Sequence, residues 1–221
     1  MTSALQASVP DQPRLCVGDT PEVLTSLYNN GTNLSIWQRQ LPEPVEQYSA
    51  FLLSHYPHNT EVRLSASAHA MAQALAERLP EHPHRQAFID DVSLIADMLT
   101  CLLDAEAIGL RLCTADKATC PRFHVDKLGC RLITTYQGKA TQWIDNASLN
   151  RTKLGRGAQG KPDDSTGLFP SAEVIETMHS GDIAILKGEL WPGNQGNGIV
   201  HRSPPLQGDE RRLFLTMDAM T

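Results

Sequence analysis

The sequence predicts an α+β protein, helical in its N-terminal half and β-rich in its C-terminal half. Three observations carry that expectation. Apolar residues recur at three- and four-residue steps through much of 42–107, the period of one helix face. Beyond residue 107 the apolar stretches shorten, turn β-rich and are bounded by Gly, Pro, Asn or Asp, as in a sandwich or barrel. The 221 residues, 41% of them hydrophobic, suffice for one substantial core, so a single domain spanning 1–221 is expected, its helices buttressing one face of the β unit.

Residues 1–20 carry no periodic pattern and read as an irregular terminus. The segment 33–107 is expected to be mainly helical. It opens with NLSIWQRQLP (33–42), a strand leading into a helix. PEPVEQYSAFLLSHY then sets Val45, Tyr48, Phe51 and Leu52 along one helical face, with Pro44 suited to a first turn. SASAHAMAQALAERL (65–79) is alanine-rich and helical, and Pro80 stops it. RQAFIDDVSLIADMLTCLLDAEA (85–107) is the strongest helix, with Phe88, Val92, Ile95, Leu99 and Leu102 on one stripe. In the β-rich half, 108–221, strands are predicted at 108–114, 129–136, 141–145, 182–188, 198–203 and 211–218. NRTKLGRGAQGKPDDSTG (150–167) is polar and glycine-rich and reads as a long surface loop, the kind that serves as a lid or stays disordered.

Composition excludes several classes. The formal net charge of −6 argues against nucleic acid as a partner, since phosphate binding requires a basic face. No apolar run approaches the ~20 residues that span a bilayer, and Asp90, Asp91, Asp97 and Asp104 interrupt the strongest helix. The N-terminus lacks a basic segment followed by an apolar one, so no signal peptide is expected and a cytoplasmic location is. Five cysteines, Cys16, Cys101, Cys113, Cys120 and Cys130, are odd in number and irregular in spacing, which predicts reduced thiols and no structural disulfide. HExxH, the phosphate-binding glycine–lysine loop and G-x-S-x-G are absent.

One stretch suggests chemistry. CPRFHVD (120–126) ends in His124-x-Asp126 just before a predicted strand. Residues two apart in extended chain point the same way, so both side chains can converge on one point at a barrel mouth. A later strand ends at His201. Two histidines and one carboxylate on one face leave coordination positions open, the arrangement of non-haem Fe(II) oxygenases. Arg122 is an anion-binding group, a partner of Asp126 behind the ligands, or equally a partner of a surface carboxylate; Cys120 flanks the site and is a second candidate for that supporting position. Thiolates favour zinc, so a zinc site using Cys120 with His124 is the alternative. Cys113 and Cys130 read as small core residues, Trp143 as core packing, and His179 as part of a turn. His55, His58, His69, His82 and His84 read as solvated or packing residues of the helical half. Ser203-Pro204-Pro205 should end the strand stiffly and fix the direction of His201.

The spacing His124-x-Asp126, then His201, then an arginine ten or eleven residues on, resembles the 2-oxoglutarate/Fe(II)-dependent dioxygenase superfamily. CPRFHVD and RLITTYQGKATQWIDN, together with HRSPP and RRLFLTMD, more closely resemble an uncharacterised bacterial family, domain of unknown function 1826. The superfamily resemblance implies a C-terminal double-stranded β-helix, a cupin-like jelly roll. It also implies Fe(II) on His124, Asp126 and His201, 2-oxoglutarate as co-substrate, and a small molecule or peptide side chain as substrate. Catalytic groups beyond the metal ligands are not implied. Arg212 is expected to clamp the co-substrate carboxylate, with Arg211 as the alternative. With Arg212 inward, Phe214, Thr216 and Asp218 share its face, whereas Arg211 would be joined by Leu213, Leu215 and Met217. The position two after Arg212 is Phe214, where many oxygenases carry a polar residue. Two rival functions stand beside the oxygenase: a non-catalytic cupin-like zinc-binding or metal-homeostasis protein, and a metal-dependent hydrolase or isomerase in which zinc activates water.

Overall fold

The computed structural model describes residues 14–56 and 59–220; His58 and the first thirteen residues lie outside that set. Among the described residues, three helices and ten strands form a mixed α+β structure. The helices are α1 (Glu43–His55), α2 (Ala68–Ala76) and α3 (Arg85–Leu103). The strands are β1 (Arg14–Gly18), β2 (Thr32–Trp37), β3 (Glu61–Ala66), β4 (Ala107–Ala115), β5 (Cys130–Gln137), β6 (Gln142–Ile144), β7 (Ile175–Thr177), β8 (Ile183–Lys187), β9 (Val200–Arg202) and β10 (Arg212–Met220). No helix among the described residues is long and apolar enough to cross a membrane.

Seven strands form one sheet in the order β1-β2-β8-β5-β10-β4-β3, and three form a second, β7-β6-β9. From β4 onward the chain alternates between them: β4 and β5 in the large sheet, β6 and β7 in the small, β8 back in the large, β9 in the small, β10 in the large. Every pairing is antiparallel except β1 with β2.

The period-2 side-chain alternation divides the large sheet into two chemically distinct faces. Leu110 and Leu112 of β4, Leu132 and Tyr136 of β5, Ile183 and Ile185 of β8, and Leu213, Leu215 and Met217 of β10 join one core cluster with Val45, Tyr48 and Leu52 of α1 and Phe88, Val92, Ile95 and Leu99 of α3. The stripe read from the sequence of α3 is therefore the stripe it buries. The other face presents Arg131, Ile133 and Thr135 of β5, Ala184 and Leu186 of β8, and Arg212, Phe214, Thr216 and Asp218 of β10. Ile133, Ala184 and Leu186 meet Trp143 of the small sheet, Met178 and Ile199, while Phe214 packs with Cys113 and Ala115 of β4.

Two elements differ from expectation. β1 begins at Arg14, inside the stretch expected to be irregular, and β3 (EVRLSA) was not anticipated. Both are short, partly exposed edge strands, so neither carries the long hydrophobic run by which central strands are recognised. The N-terminal half thus supplies three of the seven strands of the large sheet. The 150–167 stretch lies within a segment of short 3₁₀ turns. Leu149, Leu154, Leu168 and Phe169 pack there against Phe123, Ile144 and Val200, so the segment covers the outer face of the small sheet.

Candidate metal centre

His124 and His201 face each other across a two-residue antiparallel bridge. Each amide donates to the other's carbonyl, at 3.0 Å in both directions. Directly opposed residues of an antiparallel pair share a face, which sets the two rings side by side with centroids 4.5 Å apart. Asp126, two residues after His124, falls on the same face. The His124 Nε2–Asp126 Oδ1 and His201 Nε2–Asp126 Oδ2 distances are both 3.7 Å. One ligand atom from each of the three residues lies within 4.8 Å of the others, a spacing that a single ion can bridge.

The ring tautomers suit coordination through Nε2. His124 Nδ1 lies 2.9 Å from the Arg122 carbonyl and His201 Nδ1 lies 3.3 Å from the Ile199 carbonyl. A carbonyl only accepts, so each Nδ1 is the donor, which in a neutral ring leaves the lone pair on Nε2. Burial, with the neighbouring His124 adding to it, pulls His201 down to about 4 and keeps it neutral at pH 7. Gly188 packs directly behind Asp126: a Cβ there would sit 2.6 Å from the Asp126 carbonyl and 2.2 Å from that of Leu128.

Asp126 is held from behind by Arg131 of β5, whose Nη1 donates to Oδ2 at 3.0 Å. The same guanidinium grips Asp218 of β10 through Nε and Nη2, both at 2.8 Å. The sequence had offered Arg122 for that place. Arg122 turns away instead, donating from Nε to Asp163 at 2.9 Å and from Nη2 to the Lys161 carbonyl. Asp163 is buried and also accepts the Phe123 amide at 2.7 Å, tying the covering segment to the residue before His124. Arg131 escaped detection because it stands on a different strand. Its signal was a charged residue at an inward-facing position of an otherwise apolar strand.

Cys120 is exposed and outside the three-residue cluster; its backbone pairs with Ser203, which steadies the chain beyond His201. Cys113 is buried with Ala115 and Phe214, and burial pushes its thiol up. Cys130 is likewise buried. His179 is exposed, and the turn before β8 is capped by Asp182, whose carboxylate accepts the His179 amide at 2.8 Å.

Arg212 is 1% exposed. Its Nη2 donates to Thr135 Oγ1 at 3.2 Å and its guanidinium lies 4.3 Å from the centroid of the Phe214 ring. Nε and Nη1 are buried without a hydrogen-bond partner. Burial, against a weak opposing pull from Cys113, lowers it to about 10. A desolvated guanidinium with two idle donors is costly unless an anion completes it. The polar neighbour missing at Phe214 is supplied by Thr135 on the adjacent strand. Arg211, by contrast, points to the other side and donates to the Tyr56 carbonyl at 3.0 Å.

Comparison with known proteins adds the following. The family model described as "Protein of unknown function (DUF1826)" matches residues 18–218. No curated protein matches the sequence. Among solved structures, a dioxygenase for auxin oxidation from rice is similar with a TM-score of 0.51 at 11% identity, over 86% of this chain and 74% of that one. HygX from Streptomyces hygroscopicus, solved with iron bound and also with nickel and 2-oxoglutarate bound, is similar with a TM-score of 0.51 at 11% identity, over 90% of this chain and 85% of that one. At such identities the likeness is one of fold.

Proposed function

The chain belongs to the DUF1826 family of proteins of unknown function, and from that premise we propose that it is a mononuclear non-haem Fe(II) oxygenase, 2-oxoglutarate-dependent, built on a double-stranded β-helix. The observation that carries this reading is the convergence of His124, Asp126 and His201 on one face of the small sheet. Two further facts support it: the idle donors of buried Arg212, and the fold shared with HygX, which binds iron and, in its nickel form, 2-oxoglutarate.

Each residue then has a task. His124 and His201 would present their Nε2 atoms to the metal, their rings oriented by backbone carbonyls. Asp126 supplies the carboxylate, aimed by Arg131. Arg212 would hold a carboxylate of 2-oxoglutarate through donors left free at Nε and Nη1. Phe214, Ala115 and Cys113 form a buried apolar cluster on the Arg212 side of the sheet, so an ion pair there would form in a low dielectric. Iron(II) and 2-oxoglutarate, when bound, supply the activation of dioxygen. A small molecule or a peptide side chain is the substrate. A zinc site built on a thiolate is less well supported, because Cys120 stands outside the cluster and Cys113 is packed against Phe214.

Metal content and an absorption titration test the proposal. Alanine at His124, Asp126 or His201 should reduce bound iron to well below one equivalent in folded protein. Anaerobic Fe(II) protein should develop a metal-to-ligand absorption band on addition of 2-oxoglutarate. Full metal retention by all three variants would refute the site, and absence of the band in iron-loaded protein would remove the co-substrate.

A further inference from the structure

Lys187, the last residue of β8, stands on the face of the large sheet opposite the metal ligands, in series with Ile183 and Ile185. It is 5% exposed, yet among the described residues it has no hydrogen-bond acceptor and no carboxylate within ion-pair reach. Its closest charge-stabilising contact is the Trp191 ring, whose centroid lies 5.1 Å from Nζ. Burial pulls its ammonium below the ordinary lysine range, with Cys130 and Cys16 opposing. The stem of Lys187 is thus buried, while its ammonium lies against one aromatic face with donors free for a ligand.

Those donors border a cavity of about 380 Å³. Its walls are Tyr28 and Trp191, whose ring centroids lie 5.6 Å apart, and its rim carries Asn29, Asn30 and Asn197 with Gly31 and Gly193. The lining holds one formal charge, that of Lys187, among uncharged residues. We propose that this cavity is a second ligand site, separate from the metal centre, that binds a small oxyanion, a carboxylate or a phosphate, on the Lys187 ammonium. Trp191 and Tyr28 would flank the bound group, and the asparagine amides would satisfy its remaining oxygens. The proposal does not depend on the identity of the metal or on the oxygenase reading.

The three tryptophans give a local readout. In a ¹H–¹⁵N spectrum of the metal-free full chain, the Trp191 indole signal, assigned with Trp191→Phe, is followed during titration with inorganic phosphate, with acetate and with acetamide. A saturable shift of Trp191 with either anion, but not with acetamide and without a matching shift of Trp143, is expected. The responding anion identifies the class. Lys187→Met should raise the apparent dissociation constant at least about tenfold, the scale of one lost charge-assisted contact, while Lys187→Arg, which keeps the charge, should retain the response. No response to either anion, an equal response to acetamide, or undiminished binding in Lys187→Met would overturn the proposal.

Discussion

At the scale of single residues, two arginines invite separate tests. Arg212 is buried with donors unmet, so Arg212→Lys should weaken 2-oxoglutarate binding by at least about tenfold, because a compact ammonium cannot reproduce the spread donors of a guanidinium. Arg211→Lys, on the other side of the strand, should leave it unchanged; the absorption titration reads both. Arg131 holds Asp126 without joining the candidate ligand set. Arg131→Met should lower metal affinity about 10- to 100-fold, the usual cost of losing a group that orients a ligand, with the protein still folded by circular dichroism. His201 sets a pH dependence in the metal-free protein. Its folded value of about 4 lies below the ordinary 6.5, so between those values the unfolded chain takes up a proton that the folded chain refuses. Stability should therefore fall as pH drops through that window. His201→Asn should flatten the dependence of the urea midpoint on pH relative to the unmodified chain. Of these residues the histidines, Asp126 and Arg212 could be picked out from spacing and alternation. The partnership of Arg131 with Asp126 and Asp218 could not, because it joins two strands to a loop and no local pattern encodes it.

Among the elements, α3 is anchored to the large sheet by more than its apolar stripe. Asp91 receives Arg39 Nη1 at 2.5 Å and Nη2 at 3.0 Å, and the Tyr136 hydroxyl at 2.8 Å. Both partners of this buried carboxylate would be stranded by Asp91→Ala, which should cost about 3–5 kcal/mol by chemical denaturation. The helix stripe was legible in advance, but this polar anchor was not: Asp91 had read as one of several charges opposing a membrane span. The covering segment over the small sheet was similarly half legible. Its polar, glycine-rich composition marked a long connection, yet scattered Leu149, Leu154 and Leu168 give no period from which its packed underside could be deduced. Its fastening is Asp163, so Asp163→Ala leaves the Phe123 amide unpaired at a cost of about 1–3 kcal/mol. Limited trypsin digestion should then cut at Arg151, Lys153 or Arg156 faster than in the unmodified chain.

For the molecule as a whole, the change of texture near residue 107 was readable because helix and strand periods differ so plainly. The incorporation of β1, β2 and β3 into the large sheet was not, since edge pairing is decided by partners far away in sequence. The two sheets are also unequal in a way that matters for the candidate site. β5 and β10 are flanked by strands on both sides and sealed by side chains above and below, whereas His124 meets His201 through a single pair of amide bonds at the margin of a sheet of three-residue strands. Backbone amides exchange with deuterated solvent when their local structure opens, and opening is easiest where few bonds must break together. The His124 and His201 amides should thus exchange much sooner than those of Leu132, Thr134 or Leu215. If Fe(II) binds at the candidate site, saturation under anaerobic conditions should slow the first pair and leave the others as they were, so that the rate of deuterium uptake at two backbone positions becomes a gauge of how often that edge is closed.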